Sequence, residues 1–455
     1  MVRKSVKMRK LAGVTAFLGC WSLLANAFAE PSDPMRQWAQ WRGPLGTGAA
    51  PHGNPPVSWS ESKNIRWRAQ LFGLGHSTPV VWQDKVFLTT AEPYGEKLPP
   101  QPETAPGAHD NSPVTQRHRF WALAFDLKSG QLLWKRALHE ALPHEGGHYS
   151  GSLASASPVC DSEHVIVSFG SYGLYCLDHA GQLIWQQQLG KMQSKHGHGE
   201  GCTPALHGDT LVVNWDHEGQ SFLVALNKAT GKTLWRRDRD EVTSWASPLI
   251  VTSEPRPQVV VAGTNRIRGY DLEKGDVVWE CGGLSHNVVA SPVASDGMVY
   301  VGSSYETRAI MGIRIRGAKG DLTNTDRVVW RRDQRPPYVP SLLLYEGALY
   351  YLRHYQGILT RLEAPTGEEP TGPFRLQAMF EIYASPVAAA GRIYVTDRDG
   401  VTLVMQHGEL PRFLARNPLD DRISASAAIV GDQLLLRGEK WLYCIADEEK
   451  GNPRR

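Results

Sequence analysis

A histidine-rich stretch is the segment whose residue types could most readily carry out chemistry. It runs from residue 195 to residue 201 and contains His196, His198 and Glu200, each followed by a glycine. Imidazole and carboxylate groups are suitable ligands for Zn²⁺, Cu²⁺ or Fe²⁺. No H-x-x-x-H or comparable spacing fixes a rigid site. We therefore favour a solvated loop and keep His196, His198 and Glu200 as the candidate metal ligands.

A short sequence motif that recurs along the chain indicates the fold that must position this stretch. It consists of a small residue, a Ser or Thr, a Pro and then an aliphatic strand. The copies are at residues 77–80, 156–159, 202–205, 246–249, 290–293, 339–342 and 384–387, and an eighth copy at 424–428 lacks the proline. After the first copy they recur at roughly 41 to 48 residues, the period expected for four short strands and their turns. A β-propeller blade has this size.

Tryptophan recurs in the strand that ends most repeats, where a large flat side chain can fill the gap between neighbouring blades. The last repeat stops without such a strand, whereas residues 64–69 precede the first repeat and include Trp67. Pairing these two segments closes the ring and removes both sheet edges. The sequence therefore predicts an all-β, eight-bladed propeller of four-stranded antiparallel blades over residues 64–447. Its N-terminal strand completes the last blade.

The residues that lead into the innermost strands form a second candidate site, which includes part of the histidine-rich stretch. Innermost strands converge on the axis of a propeller, so we expect these residues to ring one concavity, the axial mouth. The predicted ligand-binding set is His76, His148, His198, Glu200, Trp245, Asn287 and Tyr338.

The two ends of the chain and one internal insertion complete the predicted domain organisation. Residues 1–29 have a basic start, an apolar run and a small-x-small ending, which predicts a secretory signal peptide. The alternatives are an uncleaved membrane anchor and a lipoprotein attached at Cys20. Residues 30–63 are expected to wrap the outside of the propeller, 92–116 to form a surface loop, and 448–455 to be a polar tail.

Charge and cysteine content exclude several classes of protein. Removing the signal peptide takes away five basic residues and changes the formal net charge from +3 to −2, which implies no nucleic-acid partner. Five cysteines remain without C-x-x-C spacing, so neither a disulfide framework nor a zinc-finger site is predicted. A single bridge between Cys160 and Cys176 and a pair of buried thiols are both compatible with the sequence.

The strand-turn-strand phrase at residues 225–235, ALNKATGKTLW, resembles the LDxxTGxxLW signature of the PQQ-like β-propeller repeat family. The segments 125–134 and 270–279 agree with it. The resemblance covers roughly residues 60–447. It implies membership of a family that includes quinoprotein dehydrogenases and non-catalytic BamB-like proteins. The overall layout looks most like that of exported PQQ-binding-like repeat proteins.

Three functions are compatible with this resemblance. A quinoprotein dehydrogenase needs a carboxylate base, Ca²⁺ held by oxygen ligands and groups that clamp the quinone. The sequence has no adjacent cysteines and no C-x-x-C-H haem motif. We therefore favour an exported, non-catalytic propeller that binds or scaffolds a protein partner. The alternatives are a PQQ- and Ca²⁺-dependent or metal-dependent oxidoreductase, and a carbohydrate or small-ligand binder that uses Trp245, Tyr338 and Tyr383 as stacking surfaces.

Overall fold

The computed structural model describes residues 1–2, 33–305 and 307–447. The predicted signal peptide after Val2, the lipidation candidate Cys20 and the predicted polar tail lie outside the described residues. Within the described ranges, no helix combines the length and the apolar character needed to cross a membrane.

Over the described residues, thirty-three strands form eight sheets, each of which is one blade. In chain order they are β1 (Ile65–Gln70), β2 (Val80–Trp82), β3 (Lys85–Tyr94), β4 (Arg117–Asp126), β5 (Leu132–Ala141), β6 (Val159–Cys160), β7 (Val165–Ser168), β8 (Leu174–Leu177), β9 (Leu183–Gln187), β10 (Ala205–His207), β11 (Thr210–Trp215), β12 (Phe222–Asn227), β13 (Thr233–Asp238), β14 (Leu249–Val251), β15 (Gln258–Ala262), β16 (Ile267–Asp271), β17 (Val277–Cys281), β18 (Val293–Ser295), β19 (Met298–Ser303), β20 (Ala309–Arg314), β21 (Gly320–Asp321), β22 (Val328–Arg332), β23 (Leu343–Tyr345), β24 (Ala348–Leu352), β25 (Ile358–Glu363), β26 (Phe374–Arg375), β27 (Val387–Ala389), β28 (Arg392–Thr396), β29 (Val401–Gln406), β30 (Arg412–Pro418), β31 (Ala428–Val430), β32 (Gln433–Arg437) and β33 (Trp441–Ile445).

The blades follow the chain, and each begins with a short innermost strand. Blades one to seven start at β2, β6, β10, β14, β18, β23 and β27. Blade four gains a fifth strand, because β21 from the next repeat pairs with β17 in parallel. Short 3₁₀ helices are present at Pro34–Arg36, Gly170–Tyr172 and Lys195–Gly197.

Blade eight is closed as the sequence predicts. Its strand order is β31–β32–β33–β1, and β1 pairs with β33 in antiparallel fashion, with Trp67 opposite Cys444 and Ala69 opposite Leu442. The prediction of an all-β, eight-bladed propeller is therefore confirmed.

A repeated contact between tryptophan and glycine joins neighbouring blades. The Trp67 ring packs on Gly130 in the turn between β4 and β5, and its Nε1 donates a hydrogen bond to the Leu127 carbonyl oxygen at 3.0 Å. Four other pairs repeat the arrangement: Trp134 with Gly181, Trp185 with Gly231, Trp235 with Gly275, and Trp330 with Gly367. These glycines have positive φ, and the tryptophan rings leave no room for a Cβ on them. Each tryptophan contact therefore requires a glycine in the facing turn.

The Ser or Thr of each copy of the recurring phrase forms a second contact between blades. In each blade from one to seven, the backbone N–H of this residue donates a hydrogen bond to the side-chain hydroxyl of its counterpart in the next blade, at 2.9–3.0 Å. The series runs through Thr78, Ser157, Thr203, Ser247, Ser291, Ser341, Ser385 and Ser426. It surrounds the axis where the innermost strands begin.

The segment before β1 differs from the prediction that it wraps the outside. Residues 38–54 instead cross the end of the propeller opposite the axial mouth, contacting innermost strands of blades one, two, six and seven and the turn after β31. Arg42 anchors the crossing, because its buried guanidinium donates to the carbonyl oxygens of Pro386 at 2.8 Å and Leu342 at 2.7 Å. Only the following residues, up to Trp59, run along blades seven and eight. We call residues 38–54 the floor segment.

The inserted loop of blade one is shorter than predicted, and the two cysteines of blade two are not bridged. β3 extends further than expected, so residues 92–94 belong to β3 and the loop itself spans residues 95–116. Cys160 and Cys176 are both free and buried, which selects the thiol alternative over the disulfide.

Candidate functional site

A single cavity of about 450 Å³ lies on the propeller axis. Its lower part is lined by the hydroxyl-bearing ring residues, including Thr78, Ser157 and Ser247, and Trp41 of the floor segment closes its end. Its upper part opens between the loops that lead into the innermost strands. The volume lies within the ~300–1,000 Å³ typical of small-molecule sites. The propeller is therefore blocked at one end and open at the other.

One wall of the cavity is aromatic. Tyr305 and Tyr338 lie with their ring centroids 5.0 Å apart, and Tyr355 stacks on Tyr383 at 5.9 Å with nearly parallel planes. Trp245 also lines the cavity, and its indole Nε1 donates a hydrogen bond to the Gly199 carbonyl oxygen at 2.8 Å. This bond leaves the indole with no unpaired polar group, so its contribution to the wall is apolar surface.

Another part of the cavity lining is rich in histidine and is shared with the insertion. His198 packs against His109 of the 95–116 loop at 4.8 Å and against His148 at 5.0 Å, measured between ring centroids. Burial, with a smaller contribution from the neighbouring imidazoles, lowers the pKa of His198 to about 4. Burial also lowers the pKa of His148, and it lowers that of His76 to about 3. These three histidines are therefore neutral at pH 7.

Glu200 reaches the edge of the cavity but its carboxylate is bound within blade two. Its Oε2 accepts a hydrogen bond from the Ser171 backbone N–H at 2.7 Å, and its Oε1 accepts one from the Ser171 hydroxyl at 2.6 Å. Burial raises the pKa of Glu200 to about 7, because removal from water disfavours the charged form.

Most of the predicted ligand-binding set converges on this cavity. His76, His148, His198, Glu200, Trp245 and Tyr338 all line it. Asn287 does not: it adopts a left-handed backbone conformation, with φ of 65°, and Val289 lines the cavity in its place. Sequence reasoning left out Trp41, His109, Tyr149, Tyr305 and Tyr355, all of which line the cavity. Of these, Tyr149 directly follows a predicted residue, whereas Trp41 and His109 come from segments with no repeat signal.

The metal-ligand candidates are not brought together. The His196 and His198 ring centroids lie 5.4 Å apart with tilted planes, but the Glu200 carboxylate is held by Ser171. Within the described part of the chain, no group of three or more His, Cys, Asp or Glu side chains has a geometry that could hold a metal ion. The structure therefore does not bring His196, His198 and Glu200 together as one set of ligands, because the Glu200 carboxylate accepts its hydrogen bonds from Ser171.

The cavity does not fit PQQ with Ca²⁺ either. PQQ carries three carboxylates, which need cationic or N–H donors when they leave water. Among the described residues that line the cavity, none is Lys or Arg, and the acidic ones are Asp110 and Glu200. A Ca²⁺ ion needs six to eight oxygen ligands, and Asp110 belongs to the insertion while Glu200 is bound to Ser171.

Fold and cavity together define a class: an eight-bladed β-propeller of PQQ-like repeats with one open axial cavity. A family model described as outer membrane protein assembly factor BamB matches residues 173–319. BamB from Yersinia pestis is 22% identical over 377 residues, which cover 78% of this chain and 85% of that protein. These matches support a PQQ-like, BamB-type β-propeller family for this chain.

Solved structures show the same fold. The crystal structure of BamB from Moraxella catarrhalis superposes with a TM-score of 0.51 and 16% identity, covering 78% of this chain and 99% of that one. The quinohemoprotein alcohol dehydrogenase ADHIIG from Pseudomonas putida superposes with a TM-score of 0.57 and 10% identity, covering 92% of this chain and 82% of that one. At these identities the superpositions carry the fold and no activity.

Proposed function

We propose that this chain is an exported, non-catalytic scaffold protein that holds a protein partner at the rim of its axial mouth. The observation that carries the proposal is a set of large side chains exposed at this rim. Tyr149 is 56% exposed, Tyr305 is 53% exposed and Phe380 is 69% exposed. Tyr149 and Tyr305 line the cavity, and Phe380 precedes the cavity residue Tyr383 by three positions on the same loop.

Aromatic residues at a rim are well suited to protein recognition. Tyr, Trp and Phe are enriched in protein interfaces and supply most of the energy where a partner excludes water from them. Each buries a large apolar surface at a small cost in side-chain entropy. The Tyr–His walls behind the rim are held by packing and hydrogen bonds, so the surface is preorganised before the partner arrives.

The names of the relatives suggest the kind of partner. The BamB proteins to which this chain is similar are called outer membrane protein assembly factors. We propose that this chain likewise acts outside the cytoplasm, on a protein of the cell envelope. The proposal uses no quinone and no metal ion, consistent with the lack of fit at the cavity.

A pair of phenylalanine variants tests the proposal. Phe380 lies on the rim, and Phe413 lies on the outer strand β30 of the same blade with 47% exposure. The wild-type chain is cross-linked in the organism that makes it, purified, and its partner identified by mass spectrometry. We expect Phe380→Ala to lower recovery of that partner by about tenfold, the loss from removing one hot-spot residue, and Phe413→Ala to leave it unchanged.

Two results would contradict the scaffold proposal. One is equal recovery of the partner from both variants, and the other is loss of the partner from Phe413→Ala alone. Tyr149→Ala provides a second rim variant if Phe380→Ala changes the fold, as judged by its thermal midpoint.

A further inference from the structure

The interior of the axial cavity has a second property that the scaffold proposal does not require. We propose that it is a binding site for an uncharged carbohydrate of one or two pyranose rings. The site is formed by the aromatic wall of Trp245, Tyr338, Tyr355 and Tyr383. Beneath this wall lies the circle of Ser and Thr hydroxyls that joins the blades, which we call the hydroxyl ring.

The distribution of charge excludes ionic ligands. An anion would find no Lys or Arg side chain among the described residues of the cavity lining. A cation would approach two buried arginines just behind the wall. The Arg398 guanidinium lies 4.9 Å from the Tyr383 ring centroid, and Arg437 donates hydrogen bonds to Ser77, next to the cavity residue Thr78. An anionic ligand would lose its hydration without gaining a partner, which is costly. For a cation, the carboxylates of the lining are Asp110 of the insertion and Glu200, whose oxygens accept hydrogen bonds from Ser171, and neither belongs to the aromatic wall.

The aromatic wall fits a ring-shaped ligand that is apolar on its faces and polar at its edges. Tyr355 and Tyr383 are stacked with an angle of 12° between their planes, and Tyr338 stacks on His354 at 4.5 Å. These contacts fix the rings, so little side-chain entropy is lost when a ligand packs against them. A pyranose ring presents C–H groups on its faces and hydroxyl groups around its edge, and it matches this wall better than an aliphatic chain does.

The lower part of the cavity supplies partners for the hydroxyl edge. The ring residues Ser157, Ser247, Ser385 and Ser426 line the cavity, and each hydroxyl already accepts one hydrogen bond from the neighbouring blade. A hydroxyl has one donor and two acceptor positions, so each keeps capacity for a ligand. Ser424 also lines the cavity, and within the described residues its hydroxyl has no hydrogen-bond partner. Rotation about the Cα–Cβ bond can turn it towards a ligand.

Saturation-transfer NMR on the whole mature protein tests the inference, because the method detects weak binding. The neutral probes are glucose, cellobiose, maltose and N,N′-diacetylchitobiose, and the charged probes are glucuronate and glucosamine, which are relatives of glucose. We expect at least one neutral disaccharide to bind saturably with a Kd below about 5 mM. We expect the two charged sugars to bind at least about tenfold more weakly than glucose.

Variants assign the binding to the cavity. Trp245→Ala and Tyr338→Ala are each expected to weaken it by about tenfold, and Phe413→Ala on the outer strand should leave it unchanged. If the alanine variants do not fold, Tyr338→Phe should retain binding within about threefold, whereas Tyr338→Leu should lose it. Phe380→Ala should keep sugar binding, so failure of the scaffold proposal and failure of this one are distinguishable.

Three results would overturn the inference. They are no saturable binding of any neutral sugar, binding of a charged sugar as tightly as glucose, and binding that the cavity variants leave intact. Occupation of the cavity by a peptide segment of the protein partner would appear as competition between that partner and the sugar. Without sugar binding, occupation by the peptide alone would also overturn it.

Discussion

Closure of the ring between blades eight and one depends on Trp67, and replacing it gives the most quantitative prediction. Trp67 is 9% exposed, packs on Gly130 and donates a hydrogen bond to the Leu127 carbonyl oxygen. Burying such a ring removes about 150–250 Å² from water. At about 25 cal/mol per Å², this corresponds to about 4–6 kcal/mol, of which alanine keeps a small part. Trp67→Ala should therefore lower the free energy of unfolding by about 4 kcal/mol.

Chemical denaturation followed by circular dichroism measures this loss, with two graded controls. Trp67→Phe keeps a ring but loses the hydrogen bond, so it should cost about 1–2 kcal/mol. Trp235→Ala removes the same contact between blades three and four, where Trp235 packs on Gly275, and should cost about as much as Trp67→Ala. A loss below about 1 kcal/mol for Trp67→Ala, alongside about 4 kcal/mol for Trp235→Ala, would refute the idea that the same contact closes the ring.

Three further changes test other parts of the structure. Because the pKa of Glu200 is raised to about 7, the folded state holds its proton more tightly than the unfolded chain, and stability should fall as pH rises from about 4.5 through 7. Glu200→Gln should remove this loss and raise the thermal midpoint at pH 8; an unchanged pH profile would contradict the assignment. Asp216→Ala leaves the fully buried Arg239 without its bidentate partner and should cost about 3–5 kcal/mol in denaturation; a cost below about 1 kcal/mol would show that Arg239 is solvated. Ser291→Ala leaves the buried Ser247 N–H without an acceptor and should cost about 1–3 kcal/mol, whereas Ser62→Ala at the exposed surface should cost nothing measurable.

The fold could be predicted from the sequence because the motifs that join its blades repeat. The Ser–Pro phrase, the turn glycine and the tryptophan each recur with the period of one blade, and all act between adjacent repeats. The unpartnered segment around Trp67 then determined the closure, since it supplies the fourth strand that the last repeat lacks. The hydroxyl ring was not predicted, although its residues were recognised, because its bonds join consecutive blades through space rather than along a strand.

The site was predicted where it follows from the repeat and missed where it does not. His148, Trp245 and Tyr338 all lie in segments that lead into innermost strands, so convergence on the axis brings them together. The floor segment and the 95–116 insertion carry no repeat, and their places at opposite ends of the cavity depend on long-range contacts such as that of Arg42 with Pro386. The Glu200 carboxylate was misassigned because its partner, Ser171, lies in a different loop.

The central claim is that binding takes place at the open axial mouth. Site-specific photo-cross-linking from three faces tests it most directly, with a photoreactive phenylalanine analogue placed at Phe380 on the rim, Phe413 on an outer strand or Leu45 in the floor segment. All three side chains are exposed in the structure. We predict one partner adduct from position 380 and none from positions 413 or 45. Adducts from position 413 or 45, with none from position 380, would contradict the account.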